Sequence, residues 1–279
     1  MKLLWICEKN DIYDENTHTG FQMCPSPSPE SVKKIKSVSI QTMIAFMIAG
    51  GFFALTYPAL KQSREIARAR ANHRGNLRML GMALSIYSNT SNQNLPMGGN
   101  TDLHSTPLHG WMTSLLPYIG ESAMAREIDD SHPWNAPENK DVFSIVIPSF
   151  LNSHFVDGPK QNAEGYGLTH FSANAKLFPI DQNISTKTIQ AADGLSNTIM
   201  TGEINSHLPA WGSATNVRDP AKGLNGGPDC FGSPDRKGAF MLFADGHVRF
   251  IDQNIDPQIL KALSTPADGE PILQWEQEF

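Results

Sequence analysis

A run of apolar and small residues without any charged side chain extends from Ser37 to Leu60. Positions 44–55 within it are apolar or small on every face of a helix, whereas a core helix of a globular domain normally has a polar face. About 20 apolar residues are enough for a helix to cross the ~30 Å hydrocarbon core of a bilayer. The pattern predicts a transmembrane helix over 37–60, bent near Pro58. The alternatives are a core helix and a cleaved signal peptide, and both are usually shorter.

The residues after this run place apolar and basic side chains on different faces of a helix. The apolar or small positions fall on helical steps and are Ile66, Ala69, Leu77, Leu80, Leu84 and Tyr87. This spacing predicts that the helix continues as an amphipathic segment over 61–88. We expect the apolar stripe to pack on the domain's own sheet, with a partner surface as the alternative. The turn-forming cluster at 89–100 ends the helix.

Beyond the helix, short apolar segments separated by Gly, Pro and Asn predict an irregular, β-rich head domain over 89–279. The predicted segments before residue 204 are Trp111–Ile119, a short helix near Glu121–Ile128, Val142–Leu151 and Lys187–Glu203.

Two Asp-Gly pairs give the clearest local signals in the head. Within Gly238–Ile251, the pair Asp245-Gly246 separates two runs of β-formers and predicts a type I′ hairpin turn, in which both residues take positive φ. The pair Asp193-Gly194 precedes a predicted strand at 197–201. A last helix is predicted at 256–263, with Pro257 in its first turn.

Composition limits the classes of function. The chain has 279 residues and a formal net charge of -6, which allows one good-sized head domain and argues against nucleic-acid binding. Residues 1–36 contain the proline-rich stretch CPSPSPE and predict a disordered leader. Cys7, Cys24 and Cys230 lack the spacing of a disulfide framework or a zinc site.

Basic residues after the apolar run bear on membrane orientation. They are Lys61, Arg64, Arg68, Arg70, Arg74 and Arg78. The positive-inside rule places the basic flank of a membrane span in the cytoplasm, so on this rule the head would be cytoplasmic. They are alternatively the polar surface of the helix, so charge alone leaves the orientation open.

Four carboxylates could supply oxygen ligands to a calcium ion. They are Asp193, Glu203, Asp235 and Asp245. Calcium binds carboxylate and carbonyl oxygens, but turn geometry already accounts for both Asp-Gly pairs, and no dense D-x-D-x-D-G loop occurs. We favour the turn interpretation and predict no cofactor beyond this calcium hypothesis.

Histidines and aromatic residues show no catalytic arrangement. The histidines His104, His109, His132, His154, His170, His207 and His247 have no fixed ligand spacing and predict surface or turn positions. The aromatic residues Trp111, Tyr118, Trp134 and Trp211 could line a sugar or peptide groove, but we favour core positions. No nucleophile elbow, phosphate loop or dinucleotide fingerprint occurs, so we predict a protein that is not an enzyme.

Four sequence blocks in this order resemble a bacterial family of pilin-like proteins with a prepilin-type N-terminal segment and a C-terminal H-x9-DG domain. The blocks are YPALKQSREIARARANHRGNLRMLGMALSIY, HGWMTSLLPYIGE, DGLSNTIMTGE and FADGHVRFI. The family is itself of unknown function. The matching motif positions are Asp193, Gly194, Ser196, Asn197, Thr198, Glu203, Asp235, Asp245 and Gly246.

The chain departs from the family pattern at three places. KSVSIQTMIAF stands where a prepilin would carry its GF-x-x-x-E cleavage and assembly site. Asp235 replaces the family histidine, and Ile147 replaces the cysteine of a C-P-S segment. The first departure removes the known basis for cleavage by prepilin peptidase and for assembly.

The resemblance implies an α+β, pilin-like fold, in which a long N-terminal transmembrane and stalk helix packs on an antiparallel β-rich head. It implies a structural, PulG-like pseudopilin component of a type II secretion-like or cell-surface assembly system. Such a protein would cross the inner membrane once, with its head outside the cytoplasm, and would contact lipid, copies of itself or machinery proteins. The alternative is a non-assembling, membrane-tethered module that binds calcium or a glycan, or an enzyme of unknown type.

Overall fold

The computed structural model describes residues 29–152 and 158–266. Positions 1–28 of the predicted leader lie outside the described residues, as do the side chains of several residues in the predicted span, among them 37–42. The chain divides into two units, Met1–Lys61 and Gln62–Phe279. Within the described parts of the chain, no helix combines the length and the apolar character that a membrane span requires.

The fold is a mixed α+β arrangement. Its helices are α1 (Pro29–Thr90), α2 (Ser122–Glu127), α3 (Lys140–Phe143), α4 (Thr186–Ala191) and α5 (Pro257–Ser264). Its strands are β1 (Gly99–Thr101), β2 (Pro107–Gly110), β3 (Phe171–Asn174), β4 (Ile199–Glu203), β5 (Val217–Arg218), β6 (Gly238–Phe243) and β7 (Val248–Asp252). Short 3-10 helices lie at Thr113–Tyr118, Pro137–Asn139, Pro148–Phe150, Leu195–Asn197 and Pro220–Lys222.

The main sheet has five strands in the order β5-β3-β4-β6-β7. The pairs β3–β4, β4–β6 and β6–β7 are antiparallel, which confirms the predicted antiparallel sheet. The edge pair β3–β5 is parallel, a feature that the sequence did not predict. Strands β1 and β2 form a separate antiparallel pair.

Both faces of the main sheet are buried. Successive side chains of a strand point to opposite faces, and in β6 the side chain of Leu242 joins one core cluster while those of Met241 and Phe243 join the other. The first cluster includes the C-terminal part of α1, and the second includes Leu260 and Leu263 of α5. The head therefore has a layer of helix on each side of its sheet.

The apolar stripe of α1 packs as predicted. Leu77, Leu80 and Leu84 are fully buried in the first core cluster, and Tyr87 is partly buried against it. The side chains of the two earlier stripe positions, 66 and 69, lie outside those described. Gly81 brings the helix close to the sheet, because a Cβ at this position would lie 2.8 Å from Cδ1 of Leu242.

Several predicted element boundaries agree with the structure. Helix α1 ends at Thr90, followed by positive φ at Asn92 and Gln93, so the turn cluster ends the helix as expected. Helix α2 confirms the short helix predicted near 121–128. Helix α5 begins at Pro257, and the Asp256 carboxylate caps it by accepting the Gln258 N–H at 2.7 Å.

The segment predicted from Val142 to Leu151 contains no strand; it holds the end of α3 and a 3-10 helix that begins at Pro148. Proline lacks the N–H that a strand ladder needs, which favours this outcome.

The predicted type I′ turn at Asp245-Gly246 is wrong. The Phe243 N–H donates to the His247 carbonyl at 2.9 Å, so three residues form the loop, and only Gly246 takes positive φ, at 92°. The Asp245 carboxylate accepts the His247 N–H at 3.0 Å. A three-residue loop with glycine in the left-handed region is the next most common hairpin connection after the two-residue turns.

Two glycine-to-alanine substitutions are expected to change stability in opposite directions. Gly246→Ala forces a Cβ into a left-handed conformation at 92° and should cost about 1–2 kcal/mol. Gly75→Ala lies in α1 with open space around its Cβ and should add about 0.5–1 kcal/mol. Denaturant unfolding of the full chain measures both, and equal effects of the two changes would contradict the hairpin geometry.

Candidate functional site

The two Asp-Gly turns lie side by side at one end of the sheet. The Ala244 N–H donates to the Thr198 carbonyl at 3.0 Å, and the Asp245 N–H donates to the Leu195 carbonyl at 3.2 Å. Within the first turn, Gly194 takes a φ of 85°, and its carbonyl accepts the Thr198 hydroxyl at 3.0 Å. These motif residues are therefore joined by backbone hydrogen bonds, which gives them a role in the fold.

The same two turns face the C-terminal end of α1 across a pocket of about 170 Å³. Its polar lining includes Ser85, Ser88, Gln93, Thr186 and Asp245. This volume is below the ~300 Å³ at which small-molecule sites usually begin. The motif turns thus meet the helix here.

Glu203 is the one acidic residue of the motif set with a fully buried side chain. Its Oε2 accepts the Asn152 amide at 2.9 Å, and its Oε1 accepts the Phe240 N–H at 2.7 Å. The Asn152 backbone N–H in turn donates to Nδ1 of His170 at 2.8 Å. Glu203 therefore ties β4 to β6 and to the segment around Asn152.

The four predicted calcium ligands are divided between the two ends of the sheet. Asp193 and Asp245 belong to the paired turns, whereas Glu203 lies at the other end of β4. Asp235 lies before β6 and Asp245 after it, and this strand of six residues is about 20 Å long. The exposed Asp235 accepts the Ser233 hydroxyl at 2.6 Å within its own turn. One calcium ion cannot join these groups.

In the described residues, no group of three or more His, Cys, Asp or Glu side chains is arranged to hold a metal ion. Cys230 is buried as a free thiol, and the other two cysteines lie outside the described residues.

The aromatic residues are placed mainly in the core, as predicted. Trp111 and Trp211 are fully buried, and their indole N–H groups donate to the carbonyls of Asn216 and Ile145 at 3.0 and 2.9 Å. Tyr118 and Trp134 are partly buried and pack against the same cluster. Trp indoles with such partners serve packing and not a groove.

The surface assignment of the histidines is wrong for two of them. His109 and His170 are buried, with 6% and 2% of their surface exposed, whereas His104 is exposed and His132 is half-buried. His154 lies outside the described residues. Sequence periodicity could not identify the buried pair, because His109 sits in a strand of only four residues.

Arg218 is a buried cation that the sequence also did not single out. Its guanidinium donates to the carbonyls of Ser206, His207, Pro228 and Cys230 at 2.6–3.0 Å. Burial lowers its pKa, and the charge of Asp229 opposes that shift. Because four of its five N–H donors are used, Arg218 holds two loops together and is not available as an anion site.

A larger pocket of about 440 Å³ lies beside β1, β2 and the 3-10 helix that begins at Thr113. Its lining residues are Tyr87, Met97, Gly99, Asn100, His109, Gly110, Thr113, Ser114, Ala125, Ile128 and Asp130. This volume falls in the range of about 300–1,000 Å³ typical of small-molecule sites.

His109 supplies the chemistry of this pocket. Its backbone N–H donates to Oδ1 of Asn100 at 2.8 Å, and its ring stacks on Phe143 at 5.7 Å between centroids. Neither ring nitrogen, nor Oγ1 of Thr113, makes a hydrogen bond of good geometry with the described residues, although all three atoms are buried. The backbone groups of Asp129 and His132 lie near the ring without forming such a bond. The pKa of His109 is lowered, chiefly by burial, while the charge of Asp130 and the backbone of Asp129 act in the opposite direction.

A neutral imidazole offers one donor and one acceptor, and a hydroxyl offers both. The pocket therefore presents unused donors and acceptors at buried positions next to apolar walls. This combination of a few polar groups and apolar walls is typical of small-molecule binding sites.

Comparison with known proteins identifies a family but no characterised relative. The sequence matches the family described as "Protein of unknown function (DUF1559)" over residues 61–228. No curated protein and no solved structure matches the chain.

Substitution of Glu203 by Gln should destabilise the head. Both carboxylate oxygens of Glu203 accept hydrogen bonds, from the Asn152 amide and the Phe240 N–H. In glutamine an NH2 group replaces one of these oxygens, so one of the two donors would face another donor. The loss in the free energy of unfolding should be about 1–3 kcal/mol. Glu127→Gln, at an exposed position of α2, is the matched control and should stay within about 0.5 kcal/mol. If the two variants unfold at the same denaturant midpoint, the Glu203 hydrogen bonds that join β4 to β6 do not stabilise the head.

Acidification should destabilise the head through His109. Its pKa lies below the ordinary 6.5 in the folded protein, so below about pH 6.5 the unfolded chain binds a proton that the folded chain does not. The free energy of unfolding therefore decreases as the pH is lowered from about 6.5 to the pKa of His109 in the folded protein, and it levels off below that pKa. We expect His109→Phe to weaken the fall of the thermal midpoint on acidification, and the exposed His104→Phe to leave it unchanged. The prediction fails if the thermal midpoint of both variants decreases with acidification as steeply as that of the wild type.

Proposed function

This chain belongs to the DUF1559 family of proteins of unknown function, and we propose that it is a pilin-like structural protein of the cell envelope, without catalytic activity. In this proposal, residues 37–60 anchor the chain in the inner membrane and the head lies outside the cytoplasm. The observation that carries the proposal is the burial of Leu77, Leu80 and Leu84, through which the end of the long helix becomes part of the core of the head.

Exposed apolar side chains on the first part of α1 support the anchor. They are Met43, Ile44, Phe46, Met47, Ile48, Phe53 and Tyr57. Exposed apolar surface costs roughly 25 cal/mol per Å² in water, and a bilayer would remove that cost. Lys61 and Arg64 are exposed directly after the run, at positions where they would meet lipid headgroups.

The motif residues support a structural role for the head. The Asp-Gly turns hydrogen-bond to each other and line a small pocket with the end of α1, and Glu203 joins two strands. Three of the four motif blocks thus have a place in building and bracing the domain. The resemblance to prepilin-type, H-x9-DG proteins supports an accessory role in a secretion or surface-assembly system.

In this proposal the protein acts through side-by-side contacts with other proteins in the membrane. Gly50-Gly51 would let a second helix approach closely in the membrane, and Gly51 has open space around the position of a Cβ. Copies of the same chain or machinery proteins are the proposed partners.

The second candidate is a membrane-tethered binding module that does not assemble. Two observations favour it: the sequence lacks the GF-x-x-x-E site, and the head contains the pocket around His109. In this case the anchor would remain unprocessed.

Processing and topology test the proposal. N-terminal sequencing of the protein from native membranes, combined with protease access to a tag after Phe279, should show an anchored chain with its tag outside. A cut near Lys36 would favour an assembling pseudopilin, and an intact Met1 would favour the tethered module. A tag protected from protease would overturn the proposed orientation.

Substitution of an exposed apolar residue by arginine tests the anchor itself. Phe46→Arg should weaken membrane association by about 2.5–3.5 kcal/mol, because arginine at the centre of a span costs that much. Met82→Arg is the matched control, since Met82 is also exposed on α1 but lies on the head segment. Equal recovery of both variants in washed membranes would contradict an anchor at 37–60.

A further inference from the structure

The pocket around His109 contains buried polar atoms that the fold leaves without use. Both ring nitrogens of His109 and Oγ1 of Thr113 lack hydrogen-bond partners among the described residues, and all three belong to residues that line the same pocket. A buried polar atom without a partner costs about 1–3 kcal/mol. Comparable atoms occur elsewhere in the described residues, at Ser172, Thr201 and Asn216, and this pocket gathers three of them in two residues.

We propose that this pocket binds a neutral sugar through His109 and Thr113. The inference rests on the tethered-module candidate and gives it a ligand class. The binding test itself does not depend on how the chain is anchored.

The donor and acceptor pattern of the pocket matches sugar hydroxyls. Each hydroxyl of a sugar donates one hydrogen bond and accepts others, and Thr113 and the imidazole of His109 do the same. The lowered pKa of His109 keeps the ring neutral, so that one nitrogen remains an acceptor. Asn100 and Ser114 add further polar groups to the lining.

The apolar walls suit the C–H faces of a sugar ring. Tyr87 lines the pocket with its ring packed edge-on against Tyr118 at 5.9 Å, and Ile128 and Met97 complete this surface. Small-molecule sites combine such apolar walls with a few placed polar groups.

Charge argues against the other ligand classes. Among the described residues that line the pocket, none is Lys or Arg, and Asp130 is exposed at its rim, so an anion would meet a like charge. A divalent ion needs several oxygen or nitrogen ligands at once, whereas Asp130 is the single carboxylate in this lining.

The test measures binding of four neutral sugars to the full chain: glucose, galactose, mannose and N-acetylglucosamine. The protein is kept in a polyoxyethylene detergent, because sugar-based detergents would compete. We expect saturable binding of at least one sugar by calorimetry, with a Kd on the order of 1 mM or below, and weaker binding of anionic glucuronate. The absence of saturable binding of all four, or binding of calcium or zinc alone, overturns the proposal.

Variants connect the binding to the two residues. Thr113→Val keeps the shape of the side chain and should weaken the sugar by roughly tenfold, which is the effect of one lost hydrogen bond. His109→Phe should abolish binding while the ligand-free thermal midpoint at neutral pH stays equal or rises, because an unpaired polar ring is replaced by an apolar one.

Matched controls are Thr188→Val and His104→Phe, at exposed positions outside the lining, which should bind as the wild type does. Unchanged affinity in Thr113→Val and His109→Phe would overturn the assignment. If the two control variants also lose binding, the sugar binds outside this pocket, and the assignment is overturned as well. Membrane fractionation of the same samples reports on the anchor separately, so either proposal can fail alone.

Discussion

Gly81 allows the C-terminal turns of α1 to lie directly on strand β6, and the other parts of the head are arranged around this contact. A side chain at position 81 would meet Leu242 at 2.8 Å, while Leu77, Leu80 and Leu84 on the same helix are buried in the core beside it. Removing apolar surface from water is the main favourable term in folding, and this helix contributes Leu77, Leu80, Ala83 and Leu84 to the buried surface. The end of α1 therefore belongs to the core that covers one face of the sheet.

The motif blocks have a physical explanation in the contacts that they make within the head. The turns at Asp193-Gly194 and Asp245-Gly246 hydrogen-bond to each other and border the end of α1. Glu203, at the far end of β4, satisfies the Asn152 amide and the Phe240 N–H. Carboxylates that look like a ligand set along the sequence thus serve separate structural tasks, because antiparallel strands carry them to opposite ends of the sheet. Glu203 joins separate segments, whereas the carboxylates of Asp235 and Asp245 accept hydrogen bonds within their own turns.

The pocket around His109 differs from these regions in one respect. Elsewhere in the head, buried polar groups such as Arg218, Glu203 and the two indole N–H groups have protein partners at 2.6–3.0 Å. At His109 and Thr113, buried polar atoms face a cavity without such partners in the described structure. Native proteins satisfy most buried polar groups. Among the described residues, Ser172, Thr201 and Asn216 also have a buried polar atom without a partner, but the pocket around His109 gathers three such atoms, and a function beyond support of the fold is best sought there.

The sequence by itself determined the local features of this protein. Helical spacing placed Leu77, Leu80 and Leu84 on one buried face, turn residues ended α1 at Thr90, and Pro257 after Asp256 marked the start of α5. These features depend on neighbouring residues in the chain, and periodicity and capping report on them directly. The resemblance likewise pointed to a family of unknown function, and the family match over residues 61–228 agrees with that much of it.

Only the tertiary structure decided the three-residue loop before His247, the parallel edge strand β5, the separation of the four carboxylates and the burial of His109. Each of these depends on segments that are distant along the chain. The pocket, for example, joins Tyr87, Asn100, Thr113 and Asp130, and no periodic pattern relates residues that meet because a sheet and a helix close around the same core.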